Sequence, residues 1–398
     1  MLKRIILLIQ ILMLSLLSFS QGARQQVLFP DITVDTFPII YNMIGMVDTN
    51  IVVANIQHLQ DYGTRNCKKA QAIQAQNWIK GHFENYGLSV EIQDFPFGSS
   101  CSDNVLGTLT GQVYPNEYVI IGGHYDSYTG GTQEPGADDN ASGTAGVMEV
   151  ARILGQYDFE RSIVFCAFSA EEYGMIGSEA YASRAQQQGM NILGYINLDM
   201  IGYNEPGELI HTDMIAPVSA QELSDFYKAV SAIYLPEFLI FDATTIPGGS
   251  DHMSFNNHGY MGIFPCEEDQ TYSPFIHTSN DLIGPSVNSA LKAEKFIQAA
   301  LASVVSLARP YDPTGQEEKV IQKQEIRLFP NPANEMVCIE LSKPCPAILE
   351  IFSITGNKIQ SLTLNGKQML DVSGLSPGSY LVKITGKDFT LNEMLVIQ

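Results

Sequence analysis

Residues capable of acid–base or metal chemistry stand just past the apolar runs of this chain. His124 and Asp126 follow EYVIIGG (117–123), and Asp138 and Asp139 sit in the Gly-rich stretch PGADDNASG beyond them. Glu171 and Glu172 follow SIVFCAF (162–168), Asp199 lies just past GYIN (194–197), and His277 stands in SPFIHTSNDL after the apolar YMGIF. Each alone has an ordinary explanation: a His-x-Asp surface turn, an Asp-Asp-Asn helix cap, a structural histidine, a solvated Glu pair at a sheet edge. As a set they argue differently. Carboxylates that converge repel one another unless a cation lies among them, and two neighbouring glutamates at the end of a buried strand need compensation. Histidine with aspartate and glutamate, and no thiolate, is a donor set for Zn2+ or a similar divalent ion.

Bringing these groups together requires a scaffold. Val52, Val53, Ile56 and Leu59 recur at helical spacing before Gly63, and a second helix is expected over about 70–86, closed by Gly87. A strand in LSVEIQDF follows, then the strand at 117–123, a helix in SGTAGVMEVARIL, the strand SIVFCAF and a helix of small residues. A strand in LGYINLDMIG, a helix over about 219–234, the strand YMGIF and a last helix over about 287–307 complete the series. Strands alternating with helices predict an α/β three-layer sandwich with a mixed, largely parallel central sheet, whose site lies beyond the carboxyl ends of the strands. Successive side chains of an extended segment point oppositely, so Glu171 and Glu172 are free to do different jobs.

The strings GGHYDS, PGADDNASG, FSAEEYGMIGS, NLDMIG and FIHTSNDL stand in the order found in zinc-dependent exopeptidases. Over about 48–308 the chain resembles the di-zinc bacterial leucyl aminopeptidase-like metallopeptidases, whose relatives include carboxypeptidases and glutaminyl cyclases. The resemblance implies a secreted aminopeptidase that acts on peptide substrates with two Zn2+ per enzyme domain. Asp139 matches the bridging carboxylate, with His124 and Asp199 completing one metal and Glu172 and His277 the other. Asp126 matches the acid that orients the His124 ring, and Glu171 the base that takes a proton from the attacking water and hands it to the leaving amine. The peptide bond after Asp139 is cis in similar enzymes. Neither TTIPGGSDH nor FIH carries the Tyr that steadies the oxyanion in some relatives, although Tyr260 and Tyr272 lie nearby. Ser250, Asp251 and His252 are read either as rim support or as a helix cap followed by a packed His. A glutaminyl cyclase or carboxypeptidase on the same scaffold is the alternative activity. The lone Trp78, in an early helix, argues against the indole-lined cyclase pocket. A catalytically dead binding ectodomain is the non-enzyme alternative, and retention of all five ligands and Glu171 argues against it.

The 398 residues carry a net charge of −21, which disfavours nucleic acid as a partner because phosphate binding needs a basic patch. Lys3 and Arg4 precede an apolar run from Ile5 to Leu17 with small residues after it, the layout of a signal peptide over 1–20, cut after Ser20 or Ala23. Residues 21–47 read as an irregular N-terminal segment or short pro-segment, and 48–308 as the exopeptidase domain. No other stretch is apolar and long enough to form a stable membrane span. The polar, Pro-containing 309–325 reads as a linker. After it MVCIEL, AILEIFSI, KIQSLTL, SYLVKI and EMLVIQ alternate in short strands, predicting a small all-β sandwich over 326–398. LFPNPANEMVCIEL, IFSITGNKI and LSPGSYLVKI resemble the sorting domain of type IX secretion substrates, which implies the secretion machinery as a partner and a secreted or cell-surface location. The protein is expected to be a monomer. Six cysteines in an exported chain permit disulfides: Cys67 with Cys101, and Cys338 with Cys345 around an expected hairpin, while Cys166 reads as a buried thiol.

Overall fold

The computed structural model describes residues 34–97, 101–128, 130–243, 249–268, 271–313, 326–341, 345–353, 358–386 and 390–398. The expected signal peptide and most of the expected linker lie outside them. The chain divides into two compact units, Met1–Gln316 and Glu317–Gln398.

The first unit is built on an eight-stranded sheet: β1 (Ser89–Gln93), β2 (Asn104–Leu109), β3 (Tyr114–His124), β4 (Arg161–Phe168), β5 (Asn191–Asn197), β6 (His211–Ile215), β7 (Leu239–Asp242) and β8 (Gly262–Cys266), in the order β1-β2-β4-β3-β5-β8-β6-β7. The pairs β4·β3, β3·β5 and β5·β8 are parallel, β6·β7 is parallel, and β1·β2, β2·β4 and β8·β6 are antiparallel. The sheet is therefore mixed with a parallel centre. The central strands β4 and β5 are buried almost end to end because helices cover both faces. In β4, Ile163, Phe165 and Ala167 enter the larger core, and Val164, Cys166 and Phe168 enter the core on the opposite face.

On the larger side pack α1 (Ile39–Ile44), α2 (Thr49–Gln60), α3 (Ala70–Asn85), α4 (Gly143–Leu154), α6 (Gln221–Tyr234) and α8 (Ala290–Ala308). On the other lie α5 (Ile176–Gln188) and α7 (His252–Asn257), which contribute Tyr181, Ala182, Ala185 and Phe255. Asp48 caps α2 by accepting from the Asn50 N–H at 2.9 Å. The helix α1 falls where the sequence suggested irregular chain; its apolar Ile40, Met43 and Ile44 are buried, so packing rather than propensity forms it. Among the described residues no helix is long and apolar enough to cross a membrane.

The second unit has two antiparallel sheets, β13-β10-β9 and β12-β11-β14-β15, formed by β9 (Ile326–Phe329), β10 (Met336–Leu341), β11 (Pro346–Ser353), β12 (Lys358–Asn365), β13 (Lys367–Asp371), β14 (Gly378–Thr385) and β15 (Thr390–Ile397). Alternate residues such as Leu349, Ile351, Val382 and Ile384 close its own core. The expected hairpin around Cys338 and Cys345 is not present. The strand β10, which carries Cys338, bonds to β9 and β13, whereas β11, just after Cys345, belongs to the other sheet. The six cysteines are thiols in the structure.

Candidate metal centre

The site lies where the parallel strands end. His124 is the last residue of β3, Glu171 and Glu172 open a short turn after β4, Asp199 follows β5, and His277 stands on the chain beyond β8. The loop between β3 and α4 supplies Asp139, whose peptide bond to Asn140 is cis. Asn140 ties this loop down: its side chain donates to the Leu198 carbonyl at 2.9 Å and accepts from the Gly143 N–H at 2.7 Å. Gly143 must be glycine for that approach, since a Cβ there would lie 2.1 Å from the Leu198 carbonyl oxygen. Ala170, Met200 and His277 hold left-handed backbone at φ of 59°, 50° and 55°. Strain of this kind at non-glycine positions is concentrated around functional sites.

All five expected ligands converge. Asp139 lies between two groups, with Oδ1 at 3.2 Å from His124 Nε2 and Oδ2 at 3.1 Å from His277 Nε2. Asp199 Oδ1 approaches His124 Nε2 at 3.4 Å, and Glu172 Oε2 approaches His277 Nε2 at 3.0 Å. The donors of His124, Asp139 and Asp199 form one cluster, and those of Asp139, Glu172 and His277 another. Glu171 stands apart from both; its Oε2 is 4.0 Å from His124 Nε2. Asp126 meets His124 at Nδ1 through its backbone carbonyl at 3.2 Å and its carboxylate at 3.5 Å, and that carboxylate also accepts the Glu171 N–H at 3.1 Å. It thus touches both a ring donor and the backbone of the proposed base.

The electrostatics describe a site short of positive charge. Asp139 and Glu172 hold His277 up to about 11. Burial lowers His124, but Asp199, Glu171, Asp126 and Asp139 together outweigh it and hold the ring well above its ordinary range. Burial and Asp139 push Glu172 up to about 8, against the pull of His277. Burial also raises Glu171 well above the carboxylate range, with Asp251, Asp199 and Glu172 adding to it and His124 opposing. Burial opposes ionisation of Asp139, yet hydrogen bonds to His124 and His277 hold it below the usual carboxylate range. Protons here stand in for a missing counter-charge. The donor set fits a divalent cation on a second count: Glu172 Oε1 and Asp199 Oδ1 are buried with no hydrogen-bond partner, and a buried carboxylate oxygen left bare is costly.

Several groups around the site escaped the sequence reading. Asp281, four residues past His277, accepts the N–H of Asp138 at 2.9 Å and of Asp139 at 3.1 Å, one on each oxygen. Asp138 itself is turned away and accepts from the Gly202 N–H at 2.9 Å. Arg65 is fully buried and donates to the carbonyls of Leu59, Tyr125, Pro135 and Gly136. Both Asp residues stood in strings that mark the site, but their partners are backbone atoms, which leave no side-chain pattern. Ser250 Oγ donates to Asp199 Oδ2 at 2.6 Å and accepts from Asn197 Nδ2 at 2.7 Å, so it supports a proposed ligand. Asp251 and His252 are buried, and Asp251 makes no capping hydrogen bond to α7. The Tyr260 hydroxyl donates to the Met190 carbonyl, within the core on the far face of the sheet. Trp78 of α3 stacks on His58 of α2. A further His–carboxylate group, Glu208, His211 and Glu268, lies where β6 begins and β8 ends, with His211 Nε2 paired to Glu268 at 2.9 Å.

The model of peptidase family M28 matches residues 104–302, half of the chain, and that of a secretion system C-terminal sorting domain matches residues 327–398. Leucine aminopeptidase 1 of Pyrenophora tritici-repentis is 28% identical over 265 residues, covering 60% of this chain and 65% of that protein. A probable zinc metalloprotease of Pyrenophora teres f. teres is 31% identical over 297 residues, covering 60% of each. The chain thus spans just under two thirds of the length of these relatives. Among solved structures, LapA aminopeptidase of Legionella pneumophila superposes with a TM-score of 0.62 at 24% identity, covering 71% of this chain and 79% of that one. A glutaminyl cyclase of Bacteroides thetaiotaomicron superposes with a TM-score of 0.52 at 20% identity, covering 66% and 97%. At these identities the superpositions establish a shared fold.

Proposed function

The chain belongs to peptidase family M28, and on that premise we propose that it is a zinc-dependent aminopeptidase, exported through its C-terminal sorting domain. Residues 48–308 are the catalytic domain in this reading, 309–325 the linker and 326–398 the sorting domain. One observation carries the proposal: the carboxylate of Asp139 presents one oxygen to His124 and the other to His277. Each histidine has a further carboxylate of its own, Asp199 or Glu172. His124, Asp139 and Asp199 would hold one zinc ion, and Asp139, Glu172 and His277 the second.

When bound, the cations supply Lewis acidity, easing deprotonation of an attacking water and polarising the scissile carbonyl. The remaining work falls to the chain. Glu171 is outside both donor sets, and its backbone is fixed through its N–H on Asp126. It takes the proton of the attacking water on a carboxylate oxygen and returns it to the leaving amine. Asp126 holds the Nδ1 side of His124, which leaves Nε2 for the cation. Ser250 and Asn197 fix the orientation of Asp199.

The test is a comparison of Glu171→Gln with Glu172→Gln, each assayed for zinc per chain and for turnover on aminoacyl and N-terminally blocked peptides. Glu171→Gln should cut turnover by roughly 10²–10⁴-fold with zinc content and KM nearly unchanged. Glu172→Gln should lose affinity at one site and regain part of its activity in excess zinc. If Glu171→Gln sheds metal and Glu172→Gln keeps it, the two roles are reversed. Cleavage of blocked peptides alone would refute action at the amino end.

A further inference from the structure

We propose that Cys67 and Cys101 form a disulfide in the folded, exported protein, and that this cross-link braces the turn presenting Glu171 and Glu172. The inference rests on the export reading above, because a thiol pair persists as a disulfide only in an oxidising compartment.

The two cysteines lie 34 positions apart, separated by α3 and β1. The Ser102 N–H donates to the Cys67 carbonyl at 2.8 Å, which holds the two backbones at the spacing of neighbouring strands. That spacing falls within the Cα separations a disulfide can span. Both side chains pack in one small cluster with Phe95, Phe97, Ala170, Tyr173 and Ile176. Cys67 is buried and Cys101 is partly exposed, so an incoming oxidant reaches Cys101 first. The neighbouring Cys67 thiol lowers the pKa of Cys101, which favours Cys101 as the attacking thiolate.

The position of the pair gives the link its role. Each cysteine belongs to a segment that supports the glutamate turn. On the Cys67 side, Asn66 Nδ2 donates to the Tyr173 hydroxyl at 3.1 Å, and Lys68 Nζ stands 3.8 Å over the Tyr173 ring. On the Cys101 side, Ser102 Oγ bonds to Ser169 Oγ at 2.6 Å, and Asn104 accepts the Ser169 N–H at 3.0 Å and donates to the Gly177 carbonyl at 2.8 Å. Between these supports lies Ala170, left-handed at φ 59° and packed beside Cys67. A bond between the cysteines joins the two supports on either side of the strained residue that leads into Glu171.

The chemistry is thiol–disulfide exchange with an oxidised dithiol protein of the export compartment. The Cys101 thiolate attacks one sulfur of that partner's disulfide, giving a mixed disulfide and releasing the partner's other sulfur as a thiolate. The Cys67 thiolate then displaces the partner's remaining sulfur. The new S–S bond forms here, the partner leaves as a dithiol carrying the two electrons, and the two cysteine protons end on its thiols.

The test uses the full chain folded in a glutathione buffer with the oxidised form in excess. Free thiols are alkylated under denaturing conditions, and the digest is mapped by mass before and after reduction. The proposal requires the Cys67 and Cys101 peptides to run as one linked species, two hydrogens lighter than the sum of the two, that separates on reduction. Recovery of both cysteines alkylated without reduction, or of either joined to a different cysteine, overturns it. For the bracing role, reduction should lower Tm by on the order of 5 °C in the wild type and leave a Cys67→Ser/Cys101→Ser variant unmoved. An equal fall in both would assign the effect elsewhere and refute the bracing. Should the double variant fail to fold, the wild-type peptide map still decides the pairing. Turnover is not read, so failure of the aminopeptidase assignment leaves this result intact. A linked pair in the refolded chain, with both thiols alkylated in protein recovered from outside the native host, would overturn the disulfide in the exported protein and leave the export reading standing.

Discussion

Loading of the site with metal should expel protons, and the number follows from the groups that fill it. In the metal-free chain His277 sits at about 11 and Glu172 at about 8, the first held up by Asp139 and Glu172, the second by burial and Asp139. A cation between them requires a neutral imidazole and an ionised carboxylate. At pH 7 both groups are protonated, and because they interact their titrations belong to the pair. Binding at this half of the site therefore releases between one and two protons below about pH 8, and about one above it. Affinity should then rise roughly 10–100-fold per pH unit from pH 6.5 to 7.5, since each proton displaced contributes a factor of ten per unit. The half-exposed ring of His277 lets solvent screen its shift, which changes the absolute affinity. The slope is insensitive to that screening as long as both groups titrate above the working pH. The assay is calorimetric zinc titration of metal-free protein in buffers of different ionisation enthalpy, which yields the protons released per cation. His277→Ala should remove one cation and at least one of those protons. Zinc loading that is flat between pH 6.5 and 7.5, or that releases no protons, would refute the reasoning.

Other outcomes follow from the same geometry. Metal-free protein should lose thermal stability as pH rises from about 5 to 9. His277 and Glu172 both bind protons more tightly folded than unfolded, so their contribution is full below the unfolded values and lost towards about 8 and 11; a Tm that rises over this range contradicts it. Asp139→Ala should lose both metal and activity, because each histidine loses its shared carboxylate; retention of two zinc ions by metal analysis would remove the bridge. Asp281→Ala frees two buried N–H groups of the bridging segment, so zinc affinity should fall about 10–100-fold even where the protein stays folded; unchanged affinity in a chelator competition shows that the segment holds itself. Deleting 326–398 should leave the first unit folded with its own cooperative transition and strand the protein in the periplasm of the native host; normal release of the truncated chain would defeat the sorting role.

Much of this protein was legible in its sequence because the signals are local. The uninterrupted apolar run at 163–168 belongs to a central strand covered on both faces, and β4 does feed alternate residues into two cores. Helical spacing located α2, the sequence also led to helices at α3, α4, α5, α6 and α8, and the donor residues were visible because they sit where apolar runs stop. Short elements were not legible. The strands β6 and β7, only five and four residues long, carry little periodic signal and form by pairing, β6 along β8 and β7 along β6. The expectation of a hairpin at Cys338 failed because nearness in sequence does not say which sheet a strand joins. The finer arrangement of the site belongs wholly to the tertiary structure. Which oxygen of Asp139 faces which histidine, that Asp281 grips the backbone of Asp138 and Asp139, and that Arg65 binds only carbonyls all depend on contacts between segments distant in the chain. Residue type reports what a side chain is able to donate or accept; a backbone carbonyl or N–H is the same at every position, so only the folded path of the chain decides which of them it meets.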